Sequence, residues 1–122
     1  VLHNYISIAL RAGLVVRAAN VVGALAQTKS YAPTLFANAG LCFLAYGFPA
    51  EAAVCLHRAS TEMPSDAEVR YALGLALREC GKVEEAEKII AKAKRMRSDE
   101  TTFKALEERI SQLKLEIGLT PR

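Results

Sequence analysis

The sequence predicts an all-α fold, a superhelical stack of three helical hairpins with a C-terminal capping helix, forming one domain over residues 1–122. Three observations carry this expectation. Glycine, alanine and leucine recur at one fixed spacing. No stretch alternates apolar and polar residues as a half-buried strand would. The last segment lacks the recurring residues and carries a single apolar stripe instead.

The repeat comes first, because its period sets the element order. Gly13, Gly47 and Gly81 stand 34 residues apart, and each is followed five residues later by alanine, at Ala18, Ala52 and Ala86. The segments read GLVVRAA, GFPAEAA and GKVEEAE. Gly40 and Gly74 repeat at the same spacing, each followed by leucine (Leu41, Leu75), and so do Ala59 and Ala93. Gly13, Gly47 and Gly81 suit helix ends that need a positive φ. Gly40 and Gly74, opposite Ala52 and Ala86, are small enough to let the two helices of a hairpin approach closely. Pro49 fits the first turn of a helix, where its missing N–H costs nothing, and Pro64 marks a helix end.

Helices are therefore expected at about 1–12, 15–28, 33–46, 49–62, 66–80, 83–97 and 100–117. They pair into repeats at about 1–30, 33–64 and 67–98, with the capping helix at about 100–117. Ser65 or Asp66 is placed to cap the fifth helix, with Glu68 in its first turn, and Asp99 to cap the last. The short loops make neighbours antiparallel. In the last helix Phe103, Leu106, Ile110, Leu113 and Ile117 fall on one face, as expected of a helix that seals a solenoid.

Charge is unevenly spread. Residues 1–60 hold four basic residues (Arg11, Arg17, Lys29, Arg58) and one acid, Glu51, while residues 61–122 hold 12 of each sign. The first half is thus apolar around much of each helix. Its end is expected to be covered by a preceding segment, by a second copy in a homodimer, or by a partner chain. The first residue, Val1, already lies within a helical pattern, which points to such a segment. The net charge of +3 is too small for nucleic-acid binding by charge alone. No apolar run reaches membrane-spanning length, and residues 1–10 lack the pattern of a signal peptide. Cys42, Cys55 and Cys80 are odd in number and irregularly spaced, so they read as buried thiols of a reducing compartment, with a cytoplasmic location as the default.

The 34-residue period, with Gly at the eighth position, Ala at the twentieth and twenty-seventh and Pro at the thirty-second, resembles the tetratricopeptide repeat. The resemblance covers nearly the whole chain. It is strong over residues 33–98 and weaker over 1–30, where Ile6 replaces the first glycine. It implies a right-handed superhelix that binds another polypeptide. The stretch from Gly40 through Gly81 to ALEERISQLKLEIG is similar in layout to small chaperones of bacterial type III secretion. Those are the translocator chaperones or the needle-subunit co-chaperones. Pilus-assembly repeat proteins share the pattern. The implied partner is a secretion substrate, a co-chaperone or an assembly subunit, and the implied alternative to a chaperone is a permanent scaffold.

In that family the first helix of each hairpin lines a concave groove. Projected onto this chain, the first repeat contributes His3, Ser7, Leu10 and Arg11. The second contributes Thr34, Ala37, Asn38, Leu41, Leu44 and Ala45, and the third Glu68, Tyr71, Leu75, Arg78 and Glu79. The groove should be apolar in its middle and charged at its ends, suiting an extended segment that inserts Leu, Val or Pro. Relatives that grip a carboxylate tail use Lys, Arg and Asn. Here the equivalent positions read His3, Ser7, Asn38, Glu68 and Ala72, and Glu68 would repel a carboxylate.

No catalytic, metal or cofactor site is expected. His3 and His57 have no carboxylate or cysteine at ligand spacing. Cys55 and His57, two apart on a helix, do not face each other. No phosphate-binding or nucleophile-elbow motif occurs. Lys88, Lys92, Lys94, Arg95 and Arg97 read as favourable charge at a helix C-terminus rather than a docking patch.

Overall fold

Local punctuation fixes where each helix starts and stops. The computed structural model describes residues 33–97 and 99–116, together with Asn20, Val21 and Ala24. Five helices lie within these residues: α1 (Pro33–Ala45), α2 (Pro49–Glu62), α3 (Ala67–Glu79), α4 (Val83–Met96) and α5 (Glu100–Glu116). Each boundary agrees with the sequence expectation to within one or two residues. The helix expected at 1–12, the turn at Gly13, Ile117 and the groove residues of the first repeat lie outside the described residues, and of the helix expected at 15–28 only Asn20, Val21 and Ala24, all helical, lie within them.

The turns after α1 and α3 are built alike. Gly47 and Gly81 both adopt a φ of +86°. The Gly47 N–H donates to the Leu44 carbonyl at 3.2 Å, and the Phe48 N–H to the Phe43 carbonyl at 2.8 Å. One repeat later, Gly81 donates to Arg78 and Lys82 to Leu77, each at 3.0 Å. This paired closure of the last helical carbonyls needs a left-handed residue, which is why glycine recurs there. Pro49 then opens α2. Asp66 opens α3, its side chain accepting the Val69 N–H at 3.1 Å. Asp99 opens α5 by accepting the Thr101 N–H at 3.0 Å, a bond that holds its carboxyl below the ordinary range.

Helices α1 and α2 form one hairpin, α3 and α4 the next, and α2 packs on α3 to join them. Within each hairpin the backbones meet at the expected small residues. A Cβ placed on Gly40 would stand 2.5 Å from Leu56 Cγ and 3.3 Å from the Ala52 carbonyl. Gly74 faces Ile90 and the Ala86 carbonyl in the same way. Ala52, Ala59, Ala86 and Ala93 are completely buried. Phe43, Leu44 and Leu56 are the largest side chains so enclosed. Every residue from Ala39 to Ala45 is buried, as an all-round apolar helix requires.

The closing helix refines the expectation. Phe103, Leu106 and Ile110 are buried, so this part of the stripe is an inward face. That face packs on α1 and α3, the first helices of the two hairpins. The chain therefore folds back over the groove side of the stack. Cys42 and Cys55 are buried as expected, but Cys80 is exposed, because it caps α3 at the Gly81 turn.

Candidate functional site

The groove forms where α1 and α3 lie side by side. From α1 it receives Thr34 at its rim and Ala37 and Asn38 half-buried, with Leu41 below them. From α3 it receives Glu68 and Arg78 as exposed charges near opposite ends of the helix, with Tyr71 and Leu75 between. Its middle is apolar and its ends are charged. Three residues sit deeper than a contact surface requires. Leu41, Leu44 and Ala45 are 6%, 1% and 2% exposed, so they are core first and groove second.

Helix α5 fills the middle of this groove. Phe103 stacks on Tyr71 with ring centroids 4.6 Å apart and planes 21° from parallel. The Tyr71 hydroxyl donates to Glu107 Oε1 at 2.9 Å, and burial together with that carboxylate raises its pKa. A looser pair joins Lys114 Nζ to Glu79 Oε1 at 4.0 Å near the other end. Two clefts remain along the flanks of α5. One, of about 150 Å³, is lined by Thr34, Ala37, Asn38 and Leu41 of α1, by Glu68 and Ala72 of α3, and by Leu106 and Arg109 of α5. The other, of about 390 Å³, is lined by Leu44, Leu75, Arg78 and Glu79 against Glu107, Ile110 and Lys114.

Of the eleven residues projected as groove-forming from the second and third repeats, ten are thus brought together around α5, nine lining a cleft and Tyr71 stacked beneath the helix. Ala45 is buried and lines neither cleft. Sequence reasoning did not include the groove's own occupant, namely Phe103, Leu106, Glu107 and Ile110. The stripe was visible, but a stripe says that a face is buried and not against what.

Two chemical alternatives can be placed as well. Burial, with Glu51 nearby, pushes the Cys55 thiol up to about 12, so it stays protonated at neutral pH, and exposed His57 lies on another face. Among the described residues no group of three or more His, Cys, Asp or Glu side chains could hold a metal. No helix among them is long and apolar enough to cross a membrane. Lys88, Lys92, Lys94 and Arg95 are exposed along α4, the last two in its final turn.

Two helical hairpins, repeating at 34 residues and presenting their first helices to a common groove, define a helical-repeat protein of the polypeptide-binding kind. Residues 43–110 match the tetratricopeptide repeat, and the chain belongs to that family. No curated protein and no solved structure matches it. The family is in general a non-catalytic repeat that binds other proteins.

Proposed function

We propose that the chain holds an apolar segment of a partner polypeptide in the groove between α1 and α3, acting as a cytoplasmic secretion chaperone of the type III kind. The observation that carries this reading is that the groove is already fitted to apolar side chains. Phe103, Leu106 and Ile110 are taken up there and buried, while charge stays at the ends with Glu68 and Arg78. Shielding such a segment is what a chaperone for an aggregation-prone subunit must do. The similarity of layout to type III secretion chaperones supports the narrower part of the reading, and the free thiols of Cys55 and Cys80 accord with a reducing compartment. The alternative, a permanent scaffold subunit of a secretion or pilus assembly, is favoured by one observation. With α5 seated, Val54 on the outer helix α2 is, among the described residues, the most exposed large apolar side chain, at 72%.

Site-specific photo-crosslinking separates the two. A photoreactive residue at Thr34 or Arg78, both exposed at the groove, should capture the partner in the native host, while one at Val54 should not. Capture from Val54 alone would place the contact on the outer face and favour the scaffold. Co-expression should also raise the partner's soluble yield if the chain is a chaperone.

A further inference from the structure

The groove's own occupant describes what else it would accept. We propose that α5 is an intramolecular stand-in for the partner, which binds as an amphipathic helix and takes the groove only when α5 leaves. This rests on the groove reading above and names the partner's chemistry.

The first argument is backbone chemistry. An extended segment laid along Ala37, Leu41, Leu75 and Ala72 would bring its own N–H and C=O groups onto hydrocarbon. Among the described residues only Asn38 and the Tyr71 hydroxyl stand in the middle of the groove to meet them. A helix satisfies its own backbone, so it can lie on such a surface at no polar cost. The second argument is spacing. Phe103, Leu106 and Ile110 occupy i, i+3 and i+7 of α5, the ridge that two parallel α-helices can seat. The third is charge. The Tyr71 hydroxyl takes a carboxylate at i+4, Glu107, with the Arg78 cation also acting on that tyrosine. Glu79 takes a base at i+11, Lys114. The partner helix thus carries an aromatic residue, leucine and isoleucine at those spacings, with an acid at i+4 and a base at i+11.

The fourth argument is how α5 is held. Among the described residues one hydrogen bond, one 4.0 Å ion pair and three buried apolar residues join its side chains to the rest of the fold, and an incoming helix of the same pattern could replace each of them. It is joined to α4 through residues 97–99. A tether this short keeps the local concentration of α5 high, so a free helix of the same sequence competes poorly until α5 is loosened.

The test uses the full chain and a synthetic, end-labelled peptide of residues 99–116, followed by fluorescence anisotropy. Leu106→Asp with Ile110→Asp in the full chain should raise the peptide's affinity by about tenfold or more over wild type. Glu107→Arg, at an exposed position beyond the core, should raise it by a smaller factor and serves if the double variant does not fold. A peptide bearing Leu106→Asp should bind neither. Equal affinity of the peptide for all chains, or binding to none, overturns the proposal. So does a wild-type dimer that the double variant loses, because that assigns the groove to the α5 of a second copy. The groove reading is judged separately. If Thr34 and Arg78 still capture the partner while the peptide result is negative, the partner runs along the flanking clefts, and only the displacement of α5 is refuted.

Discussion

A methyl group added at Gly40 meets a different obstacle from one added at Gly47. At Gly47 nothing lies within 4 Å, and the whole cost is the left-handed backbone. Gly47→Ala should lower stability by about 1–2 kcal/mol, with the helices otherwise unchanged. At Gly40 the backbone is ordinary, but the new Cβ would run into Leu56, which is itself completely enclosed. Gly40→Ala and Ala86→Leu should each cost roughly 1–3 kcal/mol by overpacking, read as a shift in urea midpoint. Equal stability of Gly40→Ala and wild type would mean that the two helices are further apart than the structure places them. Thiol chemistry gives a second check. Cys80 should alkylate readily in the native state and Cys55 only on unfolding. The folded Cys55 thiol keeps its proton up to about 12, whereas unfolded it titrates near 9.0, so between these values the unfolded state binds fewer protons. Its share of stability is complete below pH 9 and falls as pH rises towards 12. Cys55→Ala should flatten that part of the pH–stability curve.

At the scale of elements, the caps are separable from the core. Asp66→Ala removes the acceptor for the Val69 N–H and should cost about 1 kcal/mol, with α3 and α4 melting together. Asp99 caps only α5. Its depressed carboxyl favours the folded helix above the ordinary carboxylate range, and that contribution disappears as pH falls below 3.8 towards the lowered value. Hydrogen exchange in acid should therefore open α5 before α3. The four helices from Pro33 to Met96 were legible in the sequence because each is bounded by punctuation with a physical cause: glycine where φ is positive, proline in a first turn, aspartate where an N–H needs an acceptor. Register likewise places Thr34, Ala37, Leu75 and Arg78 on first helices, where they are found, but that first helices line a groove is what the family resemblance implies. The seat of α5 was not legible. Phe103, Leu106 and Ile110 would face inward equally well against α4 or against α1. The complementarity of Tyr71 with Phe103 and Glu107 favours the seat on α3, and the Tyr71–Glu107 bond crosses 36 residues of sequence.

Across the whole molecule, the depth of Leu41 and Leu44 changes what a groove mutation measures. At a pure contact surface, Leu41→Glu and Leu44→Glu would bury an unpaired charge only on complex formation. In the structure both lie in the core, so the unpaired charge is already buried in the free protein. Leu44→Glu should cost several kcal/mol, a large part of the stability of a domain this size, and abolish a cooperative thermal melt. A melt at the wild-type temperature would show that α1 is not enclosed. Thr34→Glu, at the exposed rim, should leave the melt unchanged and report on binding alone.

A row of hairpins in which each touches only its neighbours can unravel from either end, one unit at a time. Here the last helix returns to the first described one, and α5 holds α1 and α3 together across the seam between hairpins. The array is thereby closed from a line towards a ring, and neither hairpin can peel away without first releasing α5. The free chain should consequently melt in a single step, its α1 and α3 amides exchanging with solvent at one common rate. A chain whose α5 has been displaced reverts to the open row, and unless the incoming helix spans the same seam, its two hairpins will exchange at separate rates.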